Sequence, residues 1–194
     1  MNGKFANWIA LFSQTGQEIK DISAAIGRKP DMIISNCPHQ NITRFSHPRP
    51  FPEVEYYWLP TLGPEAKSLD ILDKFAHEFD TLITLNGWLR IVPPDKCSKF
   101  NIYNGHPGLI TKYPELKGKD PQQRTWDNLH KYEHIGSVVH KVVEEVDAGE
   151  IEEEESVNIA NDTLASVDDV YNTLRGTSLR AWCRFLNKRL YNKV

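Results

Sequence analysis

Asn104-Gly105-His106-Pro107-Gly108 is the run in this chain with the most to offer chemically. Asparagine and histidine both carry hydrogen-bond donors suited to an oxyanion that develops during acyl transfer. The glycine before the histidine and the proline after it predict a tight turn that holds the ring at one angle. The same run also fits a plain turn whose histidine caps a strand. Val146-Asp147-Ala148-Gly149 sets a carboxylate in a glycine turn. A carboxylate beside an imidazole favours the imidazolium, but spacing alone does not bring Asp147 to His106, and an aspartate in such a turn also serves simply as a turn residue.

Two further motifs carry weaker signals. Ser13-Gln14-Thr15-Gly16 separates a strand-like run from a helical one. The backbone N–H groups of Gln14, Thr15, Gly16 and Gln17, at a helix N-terminus, suit an anion such as phosphate. With one glycine the loop is neither a GxGxxG nor a Walker loop, and an ordinary polar helix start fits as well. His130-Lys131-Tyr132-Glu133-His134 matches the H-x-x-E-H pattern, in which two histidines on one helix face hold zinc. That stretch is short, Gly136 follows it, and a third ligand is not evident, so no metal is expected. Cys37, Cys97 and Cys183 form no CxxC pair, which argues against a disulfide framework or a cysteine zinc site.

These residues need a frame. Trp8 to Phe12 reads as a strand and Gln17 to Ile26 as a helix, with Ile19, Ile22 and Ile26 on one face and Gly27 at its end. Met32 to Ile34 reads as a second strand. That βαβ unit implies a parallel sheet and a right-handed crossover. Pro38 to Pro52 reads as loop, Val54 to Leu59 as a strand, and Leu69, Leu72, Phe75, Ala76 and Phe79 as one face of an amphipathic helix. Thr81 to Leu85 and Phe100 to Asn104 are further strands, residues 108–128 are loop-like, and Ser137 to Val143 and Glu150 to Ile159 are strands. Glu152 to Glu155 reads as a solvated edge. Ser166 with Asp169 forms a capping box ahead of a last helix with Val170, Leu174, Trp182, Phe185, Leu186 and Leu190 on its apolar face. The alternation makes the class α/β, with ligands expected at the carboxyl ends of the strands.

Composition narrows the function. The chain has 194 residues, 40% hydrophobic and 25% charged, and a net charge of −3. One domain is the better expectation at this length. The charge argues against a nucleic-acid partner, which calls for a basic face. No apolar run approaches the roughly 20 residues of a membrane span, and the first residues lack a signal-peptide pattern. No membrane partner and a cytoplasmic location are therefore expected.

Taken in order, the motifs resemble the folate-dependent formyltransferase family, the catalytic-domain type shared by glycinamide ribonucleotide formyltransferase, methionyl-tRNA formyltransferase and formyltetrahydrofolate deformylase. Leu85-Asn86-Gly87-Trp88-Leu89-Arg90-Ile91-Val92 resembles the family's folate-contacting strand and loop; Asn104-x-His106-Pro107 resembles its Asn-x-His-Pro; Gly136 to Ile151 resembles its later strand, aspartate loop and following strand. Gly108 stands where many members have serine, and the first loop is less glycine-rich than in the purine enzyme. The resemblance covers about residues 5–160 and implies an open, mostly parallel, doubly wound, Rossmann-like sheet over residues 1–194, closed by a helix at about 167–191. It implies 10-formyltetrahydrofolate as co-substrate, catalysis by Asn104, His106 and Asp147, folate contacts from Leu89, Arg90, Ile91, Val92, Val146 and Gly149, and a small-molecule amine acceptor, phosphorylated if Gln14, Thr15, Gly16 and Gln17 hold a phosphate. A homodimer is left open. A deformylase is the alternative within the family, although such enzymes usually carry a regulatory domain for which 194 residues leave no room; a zinc protease and a binding module that has lost catalysis are the alternatives outside it.

Overall fold

The computed structural model describes residues 5–37, 50–59, 68–159 and 164–191. The Pro38 to Pro52 loop falls largely outside these, as do His39 and His47. The expected βαβ unit is β1 (Asn7–Phe12), α1 (Gln17–Ile26) and β2 (Met32–Ser35). Then come β3 (Glu55–Trp58), α2 (Leu72–Phe75), β4 (Thr81–Leu85), α3 (Pro94–Lys99) and β5 (Asn101–His106). The chain continues through α4 (Pro121–Asp127), β6 (His134–Lys141), β7 (Ile151–Asn158) and α5 (Val167–Leu186). One seven-stranded sheet has the order β3-β2-β1-β4-β5-β6-β7. β1 to β5 pair in parallel, while β5–β6 and β6–β7 pair antiparallel. Strand order reverses between β1 and β4, which is where such sheets open a crevice.

β1 shows why the sheet is doubly wound. Trp8, Ala10 and Phe12 pack on one face with Ile19 and Ile22 of α1 and Trp182 and Phe185 of α5. Ile9 and Leu11 pack on the other with Leu72, Val92 and Cys97. Burial on both faces is what makes the strand read as a continuous apolar run. The Ser166–Asp169 capping box is present and starts α5, whose six expected apolar residues are all buried. Among the described residues no helix is long and apolar enough to cross a membrane.

Three expectations need correction, and the zinc alternative loses its geometry. The helix expected over Leu69 to Phe79 is only Leu72–Phe75, because Ala76 turns extended (φ −99°, ψ 133°) and the His77 N–H goes to Thr81 Oγ1 at 2.9 Å. Phe79 is left 88% exposed. Residues 108–128 are not all loop: a 3-10 turn forms over Pro114–Leu116, and α4 follows with proline at its start, where the missing N–H costs nothing. The H-x-x-E-H residues share no helix face: His130 lies in a 3-10 turn, and His134 opens β6 with Nδ1 3.1 Å from Lys112 Nζ. The acidic run of β7 is on an edge strand but is largely covered, with Glu154 alone of the four glutamates exposed. Arg184 and Lys188 of the last helical segment pair with Glu153, Arg180 and Arg184 pair with Glu155, and Arg189 pairs with Glu152.

Candidate active site

At the crevice, β1 and β4 are stitched together beyond their ends. Asn86 N–H donates to Leu11 O at 2.8 Å, Ser13 N–H to Gly87 O at 3.2 Å, and Leu89 N–H to Ser13 Oγ at 3.0 Å. Beneath them runs a chain of hydrogen bonds whose direction is fixed, because an indole can only donate. Trp8 Nε1–H donates to Thr84 Oγ1 (2.9 Å), Thr84 O–H to Asn86 Oδ1 (2.7 Å) and Asn86 Nδ2–H to Glu18 Oε2 (3.2 Å). Ser178 Oγ meets the other oxygen of Glu18 at 2.9 Å. Burial pushes the Glu18 carboxyl up, against the lowering effect of these two donors.

β5 carries two of the side chains expected to act, Asn104 and His106. Because side chains alternate along a strand, Asn104 and His106 share one face and Gly105 takes the other. Gly105 is required there: a Cβ would stand 2.4 Å from Trp182 Nε1, so the fully buried indole packs directly under the catalytic strand. His106 is the last residue of β5, which runs two residues past the expected strand end at Asn104, so the ring sits on the strand and not in the turn expected from Gly105 on. Its Nδ1 is 3.2 Å from Asp147 Oδ2 and its Nε2 is 2.9 Å from Leu116 O. Both partners are acceptors, so the arrangement suits an imidazolium, which donates from both nitrogens. Gly108 keeps the ring's flank clear, since a Cβ there would lie 3.0 Å from His106 Nε2.

Asp147 arrives from the loop between β6 and β7 with φ 53°, a left-handed conformation that aspartate tolerates at a cost. Besides His106, it accepts the Gly118 N–H on Oδ2 at 2.8 Å, and His140 Nε2 stands 3.3 Å from Oδ1. Burial alone would raise its carboxyl, but the two imidazoles and the Gly118 N–H hold it far below the usual carboxylate range. His140, opposite Asn104 in the β5–β6 ladder, donates from Nδ1 to Lys141 O at 2.9 Å. That bond turns Nε2 toward the site, where it lies 3.2 Å from Asn104 Nδ2. Sequence reasoning did not place His140 in the site, although a histidine in a nearly all-buried strand was a signal. Nor did it find Leu116 and Gly118, which act through backbone groups.

These residues form the wall of a cleft of about 570 Å³. Asn104, His106 and Asp147 all line it, as expected. So do Leu89, Arg90, Ile91, Val92 and Val146, and three of these apolar side chains are left in the open: Leu89 is 69% exposed, Ile91 68% and Val146 50%. Gly149 does not line the cleft; a Cβ there would fall 1.8 Å from Lys141 O, so it lets the aspartate loop close against β6. Of the four residues expected to hold a phosphate, Gln14 lines the cleft and Thr15, Gly16 and Gln17 do not. Gly16 is buried, with Pro50 and the Phe12 ring over the place of a Cβ, and Thr15 Oγ1 accepts the Gln17 N–H at 3.2 Å.

The chain has relatives both in sequence and in fold. The chain is 33% identical over 120 residues to a phosphoribosylglycinamide formyltransferase of Dictyostelium discoideum, a stretch that spans 56% of this chain and 57% of that protein. The match thus covers a little over half of that relative's length. In fold it resembles the crystal structure of a phosphoribosylglycinamide formyltransferase from Anaplasma phagocytophilum (TM-score 0.76, 18% identity, covering 98% of this chain and 89% of that one). It also resembles a formyltetrahydrofolate deformylase from Pseudomonas syringae pv. tomato (TM-score 0.74, 20% identity, 100% and 64%). The family model described as formyl transferase matches residues 6–184, nearly the whole sheet and α5, and the chain belongs to that family.

Proposed function

We propose that this protein is an enzyme that transfers a formyl group from 10-formyltetrahydrofolate to the amine of a small acceptor. The observation that carries the reading is the convergence of Asn104, His106 and Asp147 in one cleft that also exposes Leu89, Ile91 and Val146. The faces of a flat heterocycle can pack on such apolar side chains while its polar edge meets main-chain groups, and the cleft volume is that of a pocket for a molecule of this size.

The amine lone pair attacks the formyl carbon, a C–N bond forms, and the carbonyl oxygen becomes an oxyanion. Asn104 Nδ2–H donates to that oxyanion, and a His106 imidazolium, its two N–H groups held by Asp147 and Leu116 O, stabilises it through its positive charge. The bond to the folate nitrogen then breaks, and that nitrogen gains a proton as the attacking amine loses one. A carboxylate held as low as Asp147 is a poor base. Its part is electrostatic: its negative charge faces His106 Nδ1 at 3.2 Å and holds the ring at one angle. Leu89, Arg90, Ile91, Val92 and Val146 hold the folate, and Gln14 lies on the side from which the acceptor enters.

The experiment is to mix the protein with 10-formyltetrahydrofolate and a panel of small amines, and to follow release of tetrahydrofolate by absorbance. Formylation of one amine, with a rise in melting temperature on adding reduced folate, is the expected result. No thermal shift at saturating folate would refute the folate site, and formate release without any formylated product would identify hydrolysis instead.

A further inference from the structure

Arg124, in α4, makes no contact with the reacting side chains, yet its guanidinium gathers the backbone that does. Nη1 donates to Glu115 O at 2.5 Å, and Nη2 donates to Leu116 O at 3.0 Å and Lys117 O at 2.8 Å. Three consecutive carbonyls thus converge on one planar fork. Arginine can do this and lysine cannot, because its donors are fixed in a plane while an ammonium is a single point.

The gathered segment touches both halves of the catalytic pair. Leu116 O, which takes Arg124 Nη2, is also the acceptor of His106 Nε2 at 2.9 Å. One peptide beyond Lys117, the Gly118 N–H donates to Asp147 Oδ2 at 2.8 Å. For carbonyls 115–117 to turn toward Arg124 and the next N–H toward Asp147, the chain must reverse at Gly118, which has φ +85°. The side chain of Leu116 is buried and anchors the segment at one point. That anchor fixes where the segment lies but not how its peptide groups are rotated. The rotation is what sets a carbonyl on His106 and an N–H on Asp147, and three charge-assisted hydrogen bonds from one side chain fix it.

We propose that Arg124 is a positioning residue for the His106–Asp147 pair, acting through the peptide groups of residues 115–118. The inference rests on the formyl-transfer reading for the role of that pair, but the geometry it asserts can be read without turnover. Arg124 changes the reaction by holding the imidazole at one angle and by keeping a donor on the carboxylate.

Two variants test it, Arg124→Lys and Arg124→Gln, each compared with the wild type by amide hydrogen exchange and by kinetics. The Gly118 amide should exchange at least tenfold faster in both variants, while amides of the β1–β4 ladder stay protected. The kcat should fall about tenfold or more with KM for the folate within twofold, since of residues 115–118 only Gly118 lines the cleft. In a third variant, Arg124→Ala, guanidinium ion should restore part of the rate, which a general loss of folding would not allow. If Gly118 exchange is unchanged in folded variants, the inference is overturned whatever the activity. It is equally overturned if exchange rises and kcat stays at the wild-type value. Failure of the wild type itself to formylate any amine would instead refute the functional reading, and the exchange result would still decide the geometry.

Discussion

Asp147→Asn separates charge from shape at the centre of the site. Asparagine tolerates the left-handed φ of 53° as aspartate does, so the backbone has no reason to move. Its amide oxygen, placed at the Oδ2 position, still accepts from His106 Nδ1 and from the Gly118 N–H. Its amide nitrogen then occupies the Oδ1 position, 3.3 Å from His140 Nε2, which can accept from it when the ring's one proton is on Nδ1, where it bonds Lys141 O. The substitution thus removes one negative charge from a buried pair and leaves the contacts in place. Coulomb's law for unit charges at the observed 3.2 Å, with an effective dielectric constant of about 20, gives roughly 5 kcal/mol. The retained hydrogen bond returns part of this, leaving about 3–4 kcal/mol of lost transition-state stabilisation, or a fall in kcat of roughly a hundred- to a thousandfold. His106→Ala should cost a similar factor, and the double variant little more than either alone, because the two act as one unit. The assay is tetrahydrofolate release at saturating acceptor, with folate affinity read separately from the thermal shift. A folded Asp147→Asn protein that keeps kcat within tenfold of the wild type would refute the counter-ion role.

Glu18→Gln keeps the shape of the link from Asn86 to Ser178 and removes a buried charge. The folded-state pKa of Glu18 is raised, so its favourable contribution to stability is complete below the ordinary glutamate value and is lost as pH rises through the raised one. The variant should therefore melt above the wild type at pH 8 and alike near pH 4; equal melting curves at both would count against a buried ionised Glu18. Gly105→Ala should destabilise by about 1–3 kcal/mol in denaturant unfolding, because its Cβ meets Trp182 Nε1 at 2.4 Å and Cε2 at 2.9 Å with no room to turn a fully buried indole. Adding Trp182→Phe should recover part of that loss, and simple additivity would show that the two sites do not touch.

What could be read from the sequence, and what could not, follows from how each part of the site is made. β1, β2, β4 and β5 are buried runs between abrupt polar ends, so their places and the crevice beyond them were legible within a residue or two. Asn104 and His106 share a face because β5 runs on through His106, two residues beyond the end read from the sequence, which put His106 in a turn. Asp147 is another matter: it meets His106 only because β6 runs antiparallel to β5 and Gly149 lets the following loop close on Lys141. Spacing could not supply that, and the family resemblance did. α4 escaped notice because Pro121 to Asp127 has almost no apolar period, its buried members being Pro121 and Thr125.

The least legible contacts are those made by main-chain groups. His106 is held by the Leu116 carbonyl and Asp147 by the Gly118 N–H, and a peptide group carries no residue-type signature. Such a contact can be written in a sequence only through the side chain that orients it. In this chain that side chain is Arg124, eighteen positions after His106 in a stretch that reads as loop. Histidine and aspartate can be recognised one residue at a time, but the angle between them depends on a peptide segment and an arginine that nothing in the motif names. For this reason a chain can keep Asn104, His106 and Asp147 intact and still lose rate through a substitution outside all three, and Arg124 is the position at which that separation can be measured.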